Sequence, residues 1–160
     1  AHDEFKIWLT SQTDFPIGVG VICMYSAQRD LLRRKLLHSS LAAHLDRHIK
    51  VGTVDSYQGK ENPIVLLSLV RNNTSGPEIA GVRSIREGFL STPNRINVAA
   101  SRSMDKLVIV GALNGWREGK PMGKLADAFR QAVSSGNASV HPASDLLGEQ
   151  QSAPKRAKQK

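Results

Sequence analysis

The chain predicts an α/β domain built on an open, mainly parallel sheet flanked by helices, and three observations carry that prediction. Runs of β-branched and apolar residues recur along the sequence, and segments with helical spacing of leucine or alanine separate them. One run, Ile64–Val70, is apolar throughout except for Ser68. Near-continuous apolarity implies burial on both faces, the signature of a strand inside a parallel sheet.

The elements follow in order. Ile17–Tyr25 follows Pro16 and reads as a buried strand, after which Ser26 can cap a helix. From Ala27 to about His48, Leu32, Leu36, Leu37, Leu41 and Leu45 fall at helical spacing and predict one helix lying on the sheet. Ile49–Val54, Pro63–Val70 and Lys106–Gly111 predict three further strands. Between the last two, Arg71–Pro93 carries Asn72-Asn73, Ser75-Gly76-Pro77 and Gly81 and predicts a long irregular connection. Asn94–Ser103 predicts a short helix, and Gly123–Val133 the last one. The organisation expected is a lead-in over 1–16, a folded body over 17–133, and a disordered basic tail over 134–160, where Ser, Gly, Asn, Pro and Gln accumulate.

Composition bounds the function. At 160 residues, 40% hydrophobic and 22% charged, the chain has the size and balance of one globular domain with tails. No apolar run approaches the roughly 20 residues of a membrane-spanning helix, and the acidic start of the chain is unlike a secretory signal. An intracellular place, cytoplasmic or nuclear, is expected. The single cysteine, Cys23, reads as a small core residue. The net charge of +8 and pI near 10.0 favour a polyanionic partner. Half of that charge lies in the last six residues, K-R-A-K-Q-K, which have four basic groups and no acid. Arg29, Arg33, Arg34 and Lys35 would form a wet helix face.

Two stretches concentrate the chemistry. In Val51–Glu61 (V-G-T-V-D-S-Y-Q-G-K-E), a strand closes into a turn. Gly59 permits close approach of a phosphate or ribose, Glu61 can accept from sugar hydroxyls, and Thr53 or Ser56 can donate to phosphate. A tight connection would carry the same residues. In Asn94–Ser103 (N-R-I-N-V-A-A-S-R-S), Arg95 and Arg102 lie seven positions apart, two helical turns, and so are expected on one face. A guanidinium near a cleft can stabilise charge on a transferring phosphoryl group; two such arginines can equally be surface ion-pair residues. Both stretches are expected at the carboxyl ends of strands, where open α/β sheets bind ligands.

Order and combination point further. Val19–Gln28 (V-G-V-I-C-M-Y-S-A-Q), Val51–Glu61 and Gly88–Ser103 (G-F-L-S-T-P-N-R-I-N-V-A-A-S-R-S) resemble, in sequence order, motifs IV, V and VI of the second RecA-like domain of superfamily 1 helicases. The branch is the one that includes the nonsense-mediated-decay helicase, and the resemblance covers about Ile17–Ala112. It implies a RecA-like fold and the C-terminal motor half of an ATP-dependent DNA or RNA helicase. Arg102 takes the slot of the arginine finger that reaches the γ-phosphate of ATP. Gly59 and Glu61 would contact the nucleotide together with Arg95, and Gln58 would couple that site to nucleic acid. Thr53 and Ser56, with Tyr25 and Gln28, would line a groove for single-stranded DNA or RNA. Met104 departs from the family pattern, standing where a basic residue is usual.

The chain has no G-x-x-x-x-G-K-[ST] phosphate loop, since Gly123-Lys124 lacks the upstream glycine and is followed by Leu125. Nor does a D-E pair follow an apolar strand to hold magnesium. No metal ligands are assigned here. In the family, the groups that hold ATP with Mg belong to a first RecA-like domain, in the same or another chain, and this chain alone is expected to be inactive. It reads as a C-terminal fragment or a half-enzyme, and the start at Ala1 favours a fragment. The alternative is a RecA-like module that binds nucleic acid or protein without catalysis.

Overall fold

The computed structural model describes residues 17–70, 78–79 and 82–147. The core is a four-stranded, all-parallel sheet of β1 (Val19–Cys23), β2 (Ile49–Thr53), β3 (Asn62–Ser68) and β6 (Ser103–Val110), in the order β2-β1-β3-β6. Two short strands, β4 (Glu78–Ile79) and β5 (Val82–Arg83), pair antiparallel within the long connection between β3 and β6. The helices are α1 (Ser26–Leu37), α2 (Pro93–Ala100), α3 (Pro121–Ser134) and α4 (Ala143–Leu147). This is the α/β RecA-like arrangement expected. Among the described residues, no helix is long and apolar enough to cross a membrane.

Alternation along the strands divides the core into two layers. Val19, Cys23, Ile49 and Val51 face α1, with Leu32 and Leu36 packed on them. Ile22, Val65 and Leu67 face the other way, where Leu90, Ile96, Ala99 and Met122 cover them. The second layer contains α2, α3 and the 3-10 turn Gly88–Ser91. It therefore presses the second arginine-bearing stretch directly against the sheet.

The first helix is shorter than its leucine spacing predicts. It begins at Ser26, with Tyr25 at the cap position and no side-chain cap bond, so Ser26 is not the cap expected. It ends at Leu37 because the hydroxyl of Ser39 donates to the Leu36 carbonyl (2.8 Å) and accepts from the Leu41 N–H (3.2 Å). Such local bonds compete with the helical ladder. Leu41 and Leu45 still reach the core, from a 3-10 turn at Ala42–His44. Asp46 follows with φ +64, pinned by a bidentate pair to Arg33 at 2.7 and 2.8 Å. That pairing, chiefly hydrogen bonding, lowers the Asp46 carboxyl from its ordinary value and raises the Arg33 guanidinium.

Beyond α3 the chain keeps backbone structure. The Asn137 N–H bonds to the Ala132 carbonyl (2.8 Å), and Ser139–His141 line a small cavity with Trp116 and Phe129 before α4. The terminal basic run and the lead-in over 1–16 lie outside the described residues, as do residues 71–77 and 80–81 of the connection after β3.

Gly123 has a packing reason rather than a phosphate-binding one. It is buried in the first turn of α3, and a Cβ there would collide with the Arg117 carbonyl. Gly123→Ala is therefore expected to destabilise the domain by about 1–3 kcal/mol, although alanine is the better helix former by about 1 kcal/mol. A lower urea midpoint at unchanged slope would show it; an equal or higher midpoint would refute the collision.

Candidate nucleotide and nucleic-acid site

The Val54–Glu61 segment crosses the sheet from end to end. It leaves β2 at Thr53, on the carboxyl edge, where the Val54 N–H bonds to the Cys23 carbonyl (3.1 Å). After eight intervening residues it starts the parallel strand β3 at Asn62, on the amino edge. The first stretch is thus not confined to the carboxyl ends, as the sequence suggests. Its two halves serve opposite edges.

Tyr57 makes the crossing possible. Its ring lies on β1 and β2 over two glycines: a Cβ on Gly20 would stand 2.7 Å from the Tyr57 hydroxyl, and one on Gly52 would stand 2.9 Å from the ring. The hydroxyl donates to the Lys50 carbonyl (3.0 Å) and accepts from Asn62 Nδ2 (3.3 Å). Tyr57 and Asn62 did not stand out in the sequence, yet they fix the register of this segment. Glycines inside strands, which mark a close approach, were the available signal.

Burial raises two groups of this region. It pushes the Tyr57 phenol up to about 12, against a smaller opposing effect of the Asn62 bond, and the Cys23 thiol up to about 11. Both stay protonated in the folded domain while the unfolded chain ionises at lower pH. Their stabilisation is complete below pH 9 and is lost as pH rises from about 9 toward 12, by roughly 2–3 kcal/mol for each group. Urea unfolding at pH 8 and pH 11 checks this; Cys23→Ala and Tyr57→Phe should each flatten the decline.

At the amino edge, Asn62 pairs with Ser103 and its N–H bonds to the Arg102 carbonyl (3.1 Å). Glu61 and Arg102 therefore lie opposite each other, one residue ahead of the paired positions. Arg102 does not belong to α2, which ends at Ala100. Its Nε donates to the Val98 carbonyl (3.0 Å) and its Nη2 to the Ser101 hydroxyl (2.8 Å), which satisfies a carbonyl of the last helical turn. Nη1 keeps no protein partner among the described residues. Gly59, at φ +75 with open space where a Cβ would project, gives the neighbouring turn its shape. Gln58, Gly59 and Glu61 are all exposed.

The carboxyl edge gathers a different set. The Ser56 hydroxyl donates to the Thr53 carbonyl (2.8 Å), and the Ser56 N–H reaches the Thr53 hydroxyl (3.4 Å). Arg95 Nε donates to Asp55 at 3.2 Å, and its guanidinium lies 3.8 Å over the Phe89 ring. Tyr25 packs against Phe89 with centroids 5.8 Å apart. Gln28 stands half-buried in the first turn of α1. Arg95 and Arg102 therefore do not share a face: α2 carries Arg95 to the carboxyl edge and delivers Arg102 to the amino edge. Helical spacing assumed one helix through Arg102, but the turn at Ser101 breaks it. Phe89 belongs to the Gly88–Ser103 stretch, but a single aromatic without periodicity gives no sign of its role there.

Among the described residues, no three His, Cys, Asp or Glu side chains gather to hold a metal. Gly59, Glu61 and Arg102 supply hydrogen-bonding and cationic groups suited to a nucleotide phosphate and sugar, without a carboxylate set for its cation.

Residues 6–114 match a family model described as AAA domain. The chain belongs to this AAA domain family. It is a superfamily 1 helicase domain, as its relatives agree. It is 40% identical to "Helicase required for RNAi-mediated heterochromatin assembly 1" of Schizosaccharomyces pombe, over 74% of this chain and 11% of that protein. It is 36% identical to "Regulator of nonsense transcripts 1 homolog" of Drosophila melanogaster, over 60% of this chain and 8% of the relative. A third similarity, 32% identity over 70% of the chain and 9% of the relative, is to "DNA replication ATP-dependent helicase/nuclease DNA2" of Mus musculus. The helicase domain thus spans about a tenth of these relatives' length.

Proposed function

We propose that this domain is the C-terminal motor half of an ATP-dependent helicase or translocase, supplying the arginine finger and part of the single-strand groove. The observation that carries the reading is the separation of the site into two edges joined by two continuous elements. Glu61 and Arg102 meet at the amino edge, Thr53, Ser56 and Arg95 at the carboxyl edge. Val54–Glu61 and α2 each run from one to the other. A motor needs such a link, because what happens at the nucleotide must reach the strand.

At the amino edge, Arg102 presents Nη1 where a phosphate held by a partner RecA-like domain would approach. A fixed guanidinium there stabilises charge that grows on the transferring phosphoryl group. Glu61 accepts from a ribose hydroxyl, and Gly59 lets the backbone come close. Bound ATP with its Mg supplies the phosphoryl group and most of the compensating charge; the cation's ligands belong to the partner domain, in the same or another chain. At the carboxyl edge, the Thr53 hydroxyl keeps its own proton free to donate to a backbone phosphate, with Tyr25 and Gln28 beside it. Such contacts serve DNA and RNA alike. Arg95 joins this second group rather than the nucleotide.

The test is nucleic-acid-stimulated ATPase activity in a polypeptide that joins this domain to a phosphate-loop domain, with Arg102 and with Arg102→Ala. Loss of turnover with nucleotide binding kept supports the motor reading. Unchanged turnover would leave a module that binds nucleic acid or protein without catalysis.

A further inference from the structure

We infer that Phe89, with the Arg95 guanidinium above it, forms a stacking platform for an unpaired base of a bound single strand; this rests on the nucleic-acid reading above. Phe89 is 37% exposed while the adjacent Leu90 is fully buried. The turn that holds the ring out is closed by two bonds, Leu90 N–H to the Glu87 carbonyl (3.0 Å) and Ser91 hydroxyl to the Gly88 carbonyl (2.8 Å). Gly88, at φ +54, provides the left-handed conformation that starts it.

The ring is held before any ligand arrives. Tyr25 packs tilted by 45° against it, and Arg95 lies over its face, itself tied to Asp55. Little side-chain freedom is left to lose on stacking, which favours binding. Both members keep solvent-facing surface, 37% for Phe89 and 33% for the Arg95 side chain. Asp55 offsets the charge of Arg95, so the guanidinium acts here as a flat surface more than as a phosphate clamp. Thr53 and Ser56, the phosphate donors, stand on the same edge. Aromatic and guanidinium planes beside phosphate donors are how proteins hold single strands without reading sequence.

The test is fluorescence anisotropy of the full-length protein with labelled oligothymidylate, oligouridylate and an abasic strand of equal length. Phe89→Leu keeps apolar bulk against Tyr25 but removes the π face. It should weaken both base-bearing strands by about tenfold and leave the abasic strand unchanged, while Phe89→Tyr restores wild-type affinity. The loss should persist at raised salt, unlike that of a phosphate contact. Equal affinity of Phe89→Leu and wild type for base-bearing strands would overturn the platform and leave the nucleic-acid reading standing. Equal losses on abasic and base-bearing strands would overturn it as well, in favour of a packing role. Absence of wild-type binding to every strand would sink the nucleic-acid reading and the platform with it.

Discussion

Replacing Arg102 by alanine, in a polypeptide that also carries the phosphate-loop domain, is expected to lower nucleic-acid-stimulated ATP turnover by about 10³-fold or more. Nucleotide affinity should change little. The difference follows from where a finger acts: its charge matters when negative charge moves onto the transferring phosphoryl oxygens and adds little to the ground state. Arg102→Lys should fail to rescue, because an ammonium cannot hold the Val98 carbonyl and the Ser101 hydroxyl while presenting a third nitrogen to a phosphate. Those two bonds also steady the end of α2, so alanine should cost about 1 kcal/mol of stability, too little to unfold an ordinary domain. Turnover and nucleotide affinity measured on the same preparations separate the two effects. A parallel fall in both would indicate ground-state binding, and no fall would exclude the finger.

The second large effect belongs to a pair just outside the predicted motifs, one member of which, Glu87, immediately precedes Gly88–Ser103. Glu87 is 3% exposed, and among the described residues its carboxylate oxygens accept no hydrogen bond and the Arg117 guanidinium pairs with it at 3.7 Å. The pair ties the loop after β6 to the turn that carries Phe89 and leads into α2. Arg117→Ala strands the carboxylate in the core and should destabilise by about 3 kcal/mol, the lower end for a broken buried pair because the Arg117 side chain is 31% exposed. Removing both charges, in Glu87→Leu with Arg117→Leu, should recover most of that loss, since two apolar side chains leave nothing to compensate. Urea unfolding of the three variants forms the measurement. A double variant as unstable as Arg117→Ala would show that packing, not the orphaned charge, sets the cost.

The pair also shows why parts of this molecule could not be read along the chain. Glu87 and Arg117 sit in irregular segments, each bland locally, and only their meeting under the Gly88–Ser91 turn makes them consequential. Tyr57 is similar: one aromatic in a turn gains its role from Gly20 and Gly52, residues on two strands brought side by side by the sheet. Phe89 gains its from Tyr25, Arg95 and Asp55, contributed by three separate stretches.

Local chemistry, by contrast, was sufficient for the architecture. The apolar run through Ile64–Val70, the β-branched residues of Val19–Cys23 and the spacing of Leu32 and Leu36 determined a parallel sheet with a helix upon it, because burial demands depend on pattern alone. The ordered motifs likewise determined the helicase family. Where each element ends was another matter. Ser39 closed α1 early and Ser101 ended α2 before Arg102, through side-chain bonds and a turn that periodicity does not register. That second ending carries the functional consequence. Two arginines spaced for one helical face came to stand at opposite edges of the sheet, Arg95 by Asp55 and Arg102 beside Glu61, since strand register, not sequence spacing, sets which groups can act together.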